Sequence, residues 1–249
     1  MARAWTNRQV RQHTLAGKLL IKTKDDAFGY ISAHPGASEY EVQQFILQEF
    51  KKNKLVRDKD PPIVGFDTNA AIPHYFPKKK SAHLKKNSLV LIDIWARLNE
   101  PKAPFSDITW MGHRGTPPKK IKQAFKAVCD ARDASLRLVT TQLGRGRIPT
   151  GKEIDDAACN VLIKRGYVKN ILHRTGHSIG TTSPHGVFRN LNRKGDRPLH
   201  PCMGYTIEPG LYFKGKDGFG IRSEIDFLIT KNRKLVVTTP IQRKLILIS

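Results

Sequence analysis

The sequence has little cysteine, few acidic residues and no long apolar run. Its three cysteines, Cys129, Cys159 and Cys202, are odd in number and form no CxxC pair, which argues against a disulfide framework and against a thiolate zinc site. A reducing cytoplasm is therefore the expected location. The longest apolar stretch, residues 89–96, is interrupted by Asp93 and is far shorter than the ~20 residues that a membrane helix needs.

The shortage of acidic residues gives the chain a strong positive charge. Lys and Arg number 44 against 21 Asp and Glu, which makes the formal net charge +23. Such a charge attracts polyanions or an acidic partner but says nothing about the fold. Basic runs at 51–60, 77–86 and 188–197 contribute to it, and no helix-turn-helix, zinc-finger or RNA-recognition signature accompanies them. No secretory signal is visible in the polar N-terminal segment.

Helix and strand signals occur twice along the chain in the same order. Long helical patterns over roughly residues 7–33 and 117–143 are followed by capping boxes that begin at Ser38 and Thr150. The strands predicted after each pair of helices are 63–68, 88–98 and 106–111, then 170–177, 204–213, 220–229 and 234–239. The repeated order predicts an internal duplication, with α/β halves at about 6–112 and 113–249 that share one sheet.

Four carboxylates lie on otherwise apolar strands. They are Asp93 in SLVLIDIWARL, Asp107 in FSDITWM, Glu208 at the end of GYTIE, and Glu224 in GIRSEIDFLI. An ionised carboxylate in such a place is costly unless a cation compensates it. Arg222 is close enough in sequence to supply the cation, in which case the acids form buried ion pairs.

His177 adds an imidazole to these carboxylates. The segment HRTGHSIG is predicted to be a strand with His173, Thr175 and His177 on one face, because Gly176 and Gly180 weaken a helix. Four carboxylates and one imidazole are a ligand set for two adjacent divalent ions. No HExxH occurs, which disfavours a helix-borne mononuclear zinc site. From the residues alone, a dimetal site and buried ion pairs stay open as alternatives.

The same segments resemble a known family. In their order along the chain, IDIW…SDIT, HRTGHSIG, IEPGLY and IRSEID are similar to the motifs of the M24 dimetal peptidases, which include methionine aminopeptidase, aminopeptidase P and prolidase. The resemblance covers about residues 10–245. It implies an α+β pita-bread fold, in which pseudo-two-fold α/β halves surround a curved, mostly antiparallel sheet. It also implies a single catalytic domain over 1–249 without an N-terminal accessory domain.

The resemblance further implies roles for individual residues. The implied metal ligands are Asp93, Asp107, His177, Glu208 and Glu224. Asp107 and Glu224 would bridge the two ions, and Glu208 would also carry the proton. The residues implied to face the substrate are His74, His173, His185 and Arg222, the three histidines also acting in catalysis. The implied cofactors are two divalent ions, of which we expect manganese, with cobalt, iron and zinc as alternatives.

Three features favour the prolyl-specific branch of the family. They are His173 four residues before His177, the PHY segment around His74, and Arg222 two residues before Glu224. The expected lack of an N-terminal domain favours the methionine type instead. Giving the motifs more weight, we predict a metal-dependent exopeptidase that hydrolyses the N-terminal bond of Xaa-Pro peptides or dipeptides with a dimetal-activated hydroxide.

Other functions fit the same sequence. Methionine aminopeptidase-like cleavage is one, and hydrolysis of a small non-peptide amide, as in the creatinase branch, is another. The fold also occurs in binding modules with little or no catalysis, and the charge of +23 suits contact with the ribosome or RNA. A peptide is thus the expected substrate, a polyanion such as the ribosome is a candidate partner, and a homodimer is a candidate assembly. No membrane association is expected.

Overall fold

The computed structural model of the chain describes residues 4–249. Its α-helices are α1 (Asn7–Ala33), α2 (Glu39–Lys52), α3 (Lys119–Gly144) and α4 (Gly151–Lys164). Its strands are β1 (Leu55–Val56), β2 (Ile63–Phe66), β3 (Leu89–Leu98), β4 (Ser106–Arg114), β5 (Gly204–Ile207), β6 (Gly210–Phe213), β7 (Phe219–Arg222), β8 (Ile225–Ile229), β9 (Leu235–Val237) and β10 (Ile246–Ile248). None of the helices in this part of the chain is both long and apolar enough to cross a bilayer.

Helices α1, α2 and α4 begin at capping boxes. The Ser38 hydroxyl accepts the N–H of Glu41 at 3.2 Å, and the Glu41 carboxylate accepts the N–H of Ser38 at 2.7 Å. Thr150 and Glu153 repeat this exchange at 3.2 and 2.8 Å. These two starts confirm the predicted ones, while the capping box at Thr6 was not predicted. Each box satisfies backbone donors that the first turn of a helix leaves without partners.

Strand β3 is buried on both faces, which explains its continuous apolar sequence. Val90 and Ile92 pack with the helices α1 and α2. Leu89, Leu91 and Trp95 point the other way and pack with residues of α3 and β7. Because side chains alternate along a strand, position 93 must also face α3 and β7. The strand therefore directs a carboxylate into the interior between the two layers.

The strands form three hydrogen-bonded sheets and not the single shared sheet that was predicted. β3 pairs with β1, β2 and β4 in the first sheet, and β10 extends it beside β4; β5, β8 and β9 form the second sheet, and β6 with β7 the third. Every pair is antiparallel except β4 with β10. The predicted runs 204–213 and 220–229 are each split into two strands.

The break between the second and third sheets has a simple cause. β5 pairs with β8 and β6 pairs with β7, so the steps 208–209 and 223–224 lie opposite each other. Pro209 has no N–H to donate to a ladder. Glu208 and Glu224 therefore both lie at this break in the hydrogen-bonded pairing, on neighbouring segments of the chain.

The segment 170–177 does not form the predicted strand. After a 3-10 turn at Val168–Asn170 it runs irregularly and makes one isolated bridge, between Gly176 and Leu191. A Cβ atom on Gly176 would lie 2.2 Å from the carbonyl oxygen of Thr206. A glycine is needed at position 176 because two backbones touch here. From the sequence alone, this glycine was an argument only against a helix.

Replacing Thr150 by alanine should lower the free energy of unfolding by about 1 kcal/mol, because the cap on the Glu153 N–H is lost. Thr140→Ala is a matched control, since the exposed Thr140 hydroxyl only donates to the Leu136 carbonyl within α3 and alanine is the better helix former. Urea unfolding measures both. Equal losses in the two variants would contradict the capping role.

Candidate metal centre

Two of the predicted ligands lie on one face of the β3–β4 hairpin. Asp93 is paired with Thr109, and Asp107 is paired with Trp95. Directly paired residues share a face of the sheet, so both carboxylates project toward the same side. Both are buried, on the side of the hairpin that β3 turns toward α3 and β7.

His177 approaches these carboxylates from the second sheet. Its backbone N–H donates to Thr206 Oγ1 at 3.1 Å, and the Thr206 N–H donates to the His177 carbonyl at 2.9 Å. Its ring Nε2 lies 3.2 Å from Glu208 Oε1 and 3.9 Å from Asp107 Oδ2. Its Nδ1 lies 2.9 Å from the carbonyl of Ser178. That carbonyl fixes the proton on Nδ1 and leaves Nε2 as a potential ligand.

Glu224 completes a group that could hold a divalent ion. One ligand atom from each of Asp107, His177 and Glu224 lies within 4.8 Å of the others, and all three residues are buried. The hydroxyl of Thr109 donates to Glu224 Oε2 at 2.7 Å and so orients this carboxylate. Two carboxylates with one imidazole suit Mn, Fe, Co or Zn.

Asp93 lines the same cavity, of about 60 Å³, as the other four predicted ligands, but its carboxylate is already paired. The Arg222 guanidinium donates to it through Nη2. The remaining guanidinium donors bind Thr109 Oγ1 at 3.0 Å and the Tyr212 hydroxyl at 3.1 Å. The ion-pair alternative left open from the sequence is thus present for this one carboxylate. The substrate-binding role of Arg222 stays a prediction.

The carboxylates of the cavity repel one another electrostatically. Burial and the charge of Asp93 raise the pKa of Asp107 well above its usual range, and burial and the charge of Asp107 do the same to the pKa of Glu224. Burial would raise the pKa of Glu208 as well, but its hydrogen bond with His177 brings that pKa below the usual range. The carboxylates of Asp107 and Glu224 lie close together, and the protein does not fully neutralise their negative charge. This donor set therefore fits divalent cations.

Two of the three predicted histidines, His74 and His185, line this cavity, and His173 lines an adjoining one. The rings of His185 and His177 are 4.4 Å apart between centroids. His173 Nε2 lies 2.7 Å from the Tyr212 hydroxyl, and His74 lines both this cavity and an adjoining one that His173 also lines. Desolvation lowers the pKa of His173, and desolvation together with the charge of His177 lowers the pKa of His185 to about 4. His185 is therefore a neutral imidazole near pH 7.

Two residues around the ligands had no predicted role. Asp226 Oδ2 accepts the Asp107 N–H at 2.9 Å and the Ser106 hydroxyl at 2.6 Å, which fixes the start of β4. Thr109 joins Arg222 to Glu224. The alternation of side chains along the strands could have predicted these roles, because Asp226 shares a strand face with Glu224 and Thr109 shares one with Asp107.

The profile of metallopeptidase family M24 matches residues 16–231 of this chain. The chain belongs to this family. The resemblance found in the sequence motifs is thereby confirmed.

Among curated proteins, an uncharacterized peptidase of Staphylococcus epidermidis is 29% identical over 203 residues, which are 82% of this chain and 54% of that protein. An uncharacterized peptidase of Staphylococcus aureus matches over the same shares with the same identity. This M24 chain spans about half the length of these relatives.

Solved structures confirm the pita-bread α+β fold. An X-Pro aminopeptidase from Thermotoga maritima superposes with a TM-score of 0.86 at 22% identity, covering 98% of this chain and 64% of that one. An Xaa-Pro dipeptidase from Bacillus anthracis gives a TM-score of 0.83 at 25% identity, with the same coverage of both chains. This chain spans less than two thirds of each of these two structures.

The metal-free protein should lose stability as the pH rises. Asp107 and Glu224 bind protons more tightly in the folded chain, so their contribution is fully present below about pH 4, the unfolded pKa. It is lost as the pH rises through their raised folded pKa values. Mn²⁺ binds deprotonated ligands, so it should raise the melting temperature more at about pH 8 than at about pH 5.5.

Thermal unfolding with and without Mn²⁺ at both pH values tests this. Asp107→Asn should flatten the pH dependence and remove the Mn²⁺ shift, whereas Asp217→Asn in an exposed turn should change neither. An Mn²⁺ shift of wild-type size in Asp107→Asn would contradict the proposed ligand set.

Proposed function

We propose that this chain is a dinuclear metalloaminopeptidase that hydrolyses the N-terminal bond of Xaa-Pro peptides or dipeptides. The observation that carries the proposal is the buried convergence of Asp107, His177 and Glu224 on an M24 fold. The prolyl preference is supported by the likeness to an X-Pro aminopeptidase and an Xaa-Pro dipeptidase and by His173 and His74 at the cavity next to Glu208.

In this proposal Asp93, Asp107, His177, Glu208 and Glu224, which line the cavity, would hold two divalent ions. When bound, such ions lower the pKa of water and polarise a carbonyl group. Manganese is the expected metal, and cobalt, iron or zinc satisfy the same donors.

Glu208 is the proposed proton carrier. It accepts a proton from the attacking water and returns it to the nitrogen of the leaving group, first as a general base and then as a general acid. The Thr206 hydroxyl donates to its Oε1 at 3.2 Å, and His177 Nε2 contacts the same oxygen. The hydrogen bond from Thr206 favours the ionised form of Glu208 that a base requires.

The histidines around the cavity are proposed to bind the peptide. A neutral His185 keeps one ring N–H with which to donate a hydrogen bond to an oxyanion, and His74 lies on the same cavity wall. His173 is held by the Tyr212 hydroxyl, which in turn accepts from Arg222. Arg222 is thereby a positioning residue for both Asp93 and His173.

Glu224→Gln should remove both metal retention and peptide cleavage, because it deletes one anionic donor from the buried group. We expect kcat/KM for Ala-Pro to fall by at least about a hundredfold, because the several kcal/mol that a metal ion supplies are lost, while Asp217→Asn behaves as wild type. The assay uses Ala-Pro and Met-Ala peptides with Mn²⁺, Co²⁺, Fe²⁺ or Zn²⁺ added, and metal content is measured separately. Full activity of Glu224→Gln would refute the site, and preference for Met-Ala would favour the methionine type.

A polyanion-binding role is a second candidate, carried by the distribution of charge. Several of the 21 acidic residues are buried and do not offset surface lysines and arginines, among them Glu39, Asp93, Asp107, Asp155, Glu224 and Asp226. The surface is therefore more basic than the net charge of +23 states. Such a surface binds nucleic acid through its phosphates, and a cytoplasmic location, which we also propose, would bring it into contact with ribosomes.

Retention on immobilised RNA should fall steeply with salt if this role exists. Replacing Lys78, Lys79 and Lys80, which are exposed, by glutamine should reduce the slope of log affinity against log salt by about 0.7 per lost phosphate contact. The same change at Lys119, Lys120 and Lys122, three exposed lysines of α3, controls for charge alone. Retention that is insensitive to salt would contradict this second role without affecting the first.

A further inference from the structure

The two sides of the candidate metal centre offer different amounts of space. On one side it adjoins a cavity of about 280 Å³, whose wall includes Glu208. The cavity that the predicted ligands themselves line measures only about 60 Å³. Three large apolar side chains line this smaller cavity alone, and they are Ile63, Phe76 and Trp95. A substrate that reaches the metal centre therefore meets an open side and a narrow apolar side.

The position of Glu208 indicates which part of a peptide belongs on each side. Glu208 lines both cavities and is the proposed donor of a proton to the nitrogen of the leaving group. The prolyl residue that carries this nitrogen needs the space of the larger cavity, which His74, His173 and His185 line. The N-terminal residue is on the other side of the cleaved bond. Its side chain is therefore adjacent to the wall that contains Trp95.

Trp95 is held firmly in this wall. It follows Asp93 by two residues on the same face of β3, it is paired with Asp107, and it is buried. Its indole N–H donates to Asp58 Oδ1 at 2.8 Å, and the Ser183 hydroxyl donates to Asp58 Oδ2 at 3.3 Å. Rotation of the indole away from the cavity would break its hydrogen bond and leave a polar group without a partner. The ring therefore forms a fixed boundary of the cavity.

We propose that Trp95 restricts the N-terminal residue of the substrate to glycine, alanine or serine. The inference rests on the proposed function and names its substrate class. A water molecule occupies about 30 Å³ in the liquid, so a cavity of about 60 Å³ corresponds to about two of them, and the proposed ions need part of that space. A leucine, methionine or phenylalanine side chain would have to displace the indole, and a closely packed wall resists such overpacking.

An open apolar pocket would produce the opposite preference. Each additional CH₂ group that a substrate buries against apolar side chains strengthens its binding, so leucine would then be preferred to alanine. A size limit set by Trp95 makes alanine the better N-terminal residue. The direction of the preference therefore distinguishes a boundary from an ordinary apolar contact.

The test compares Ala-Pro with Leu-Pro, two dipeptides that differ only in the N-terminal side chain. Wild-type kcat/KM with Mn²⁺ should be at least about tenfold higher for Ala-Pro. Trp95→Ala should raise the value for Leu-Pro relative to Ala-Pro by at least about tenfold, and Trp95→Phe should raise it less. Trp110→Ala is the matched control, because this indole of β4 contacts Lys24 of α1, away from the cavity. It should leave the ratio unchanged.

Binding gives a second readout that requires no cleavage. Alanine and leucine, the N-terminal products of the two dipeptides, are titrated into the Mn²⁺-loaded protein in a calorimeter. The wild type should bind alanine more tightly than leucine, and Trp95→Ala should reverse this order.

Several results would overturn the inference. A wild-type enzyme that cleaves Leu-Pro as well as Ala-Pro, or better, would refute the size limit while the proposed function stands, and this result needs no variant that folds. Equal losses of Trp95→Ala on the two dipeptides would show that Trp95 has a structural role only. Cleavage of neither dipeptide with any of the four metals would refute both the inference and the proposed function.

Discussion

The arrangement of this protein depends on compensating negative charge that the fold brings into its interior. Asp93, Asp107 and Glu224 are buried within one small cavity, and Glu208 adds a fourth carboxylate at its side. Arg222 neutralises one of them, and removing one partner of such a buried pair costs about 3–5 kcal/mol. The remaining charge calls for cations from outside the chain, which is why a metal centre is the natural interpretation of the cavity.

Regular structure alone does not produce this convergence. The β3–β4 register places Asp93 and Asp107 on one face, whereas Glu208 and Glu224 reach the cavity where the ladder is broken beside Pro209. His177 comes from an irregular segment whose backbone touches Thr206. The site thus combines side chains set by strand pairing with side chains set by exceptions to it.

The sequence was sufficient wherever local rules decide the outcome. The capping boxes at Ser38 and Thr150 begin helices as predicted, since the two interactions span only three residues. The buried carboxylates stood out because an acid inside an apolar strand needs a partner. The M24 motifs then identified the family, which no composition or periodicity could have done. The same motifs indicated which residues along the chain are the candidate ligands.

The predictions failed where distant contacts decide. The strand expected around His177 is an irregular segment, because its partners are separate bridges to Leu191 and Tyr205. The short strand β10 was missed because its three residues form a strand only by pairing with β4. The Arg222–Thr109 contact joins residues 113 positions apart, and no local pattern encodes such a pair.

The contacts around the cavity join residues that are far apart in the sequence, which matters for the rate of folding. The contact between Ser106 and Asp226 joins residues 120 positions apart, and the helices α3 and α4 lie between them in the chain. Closing loops of that length slows folding. The helices can therefore form well before the carboxylates meet, and until then the apolar face of β3 is open to association with other chains.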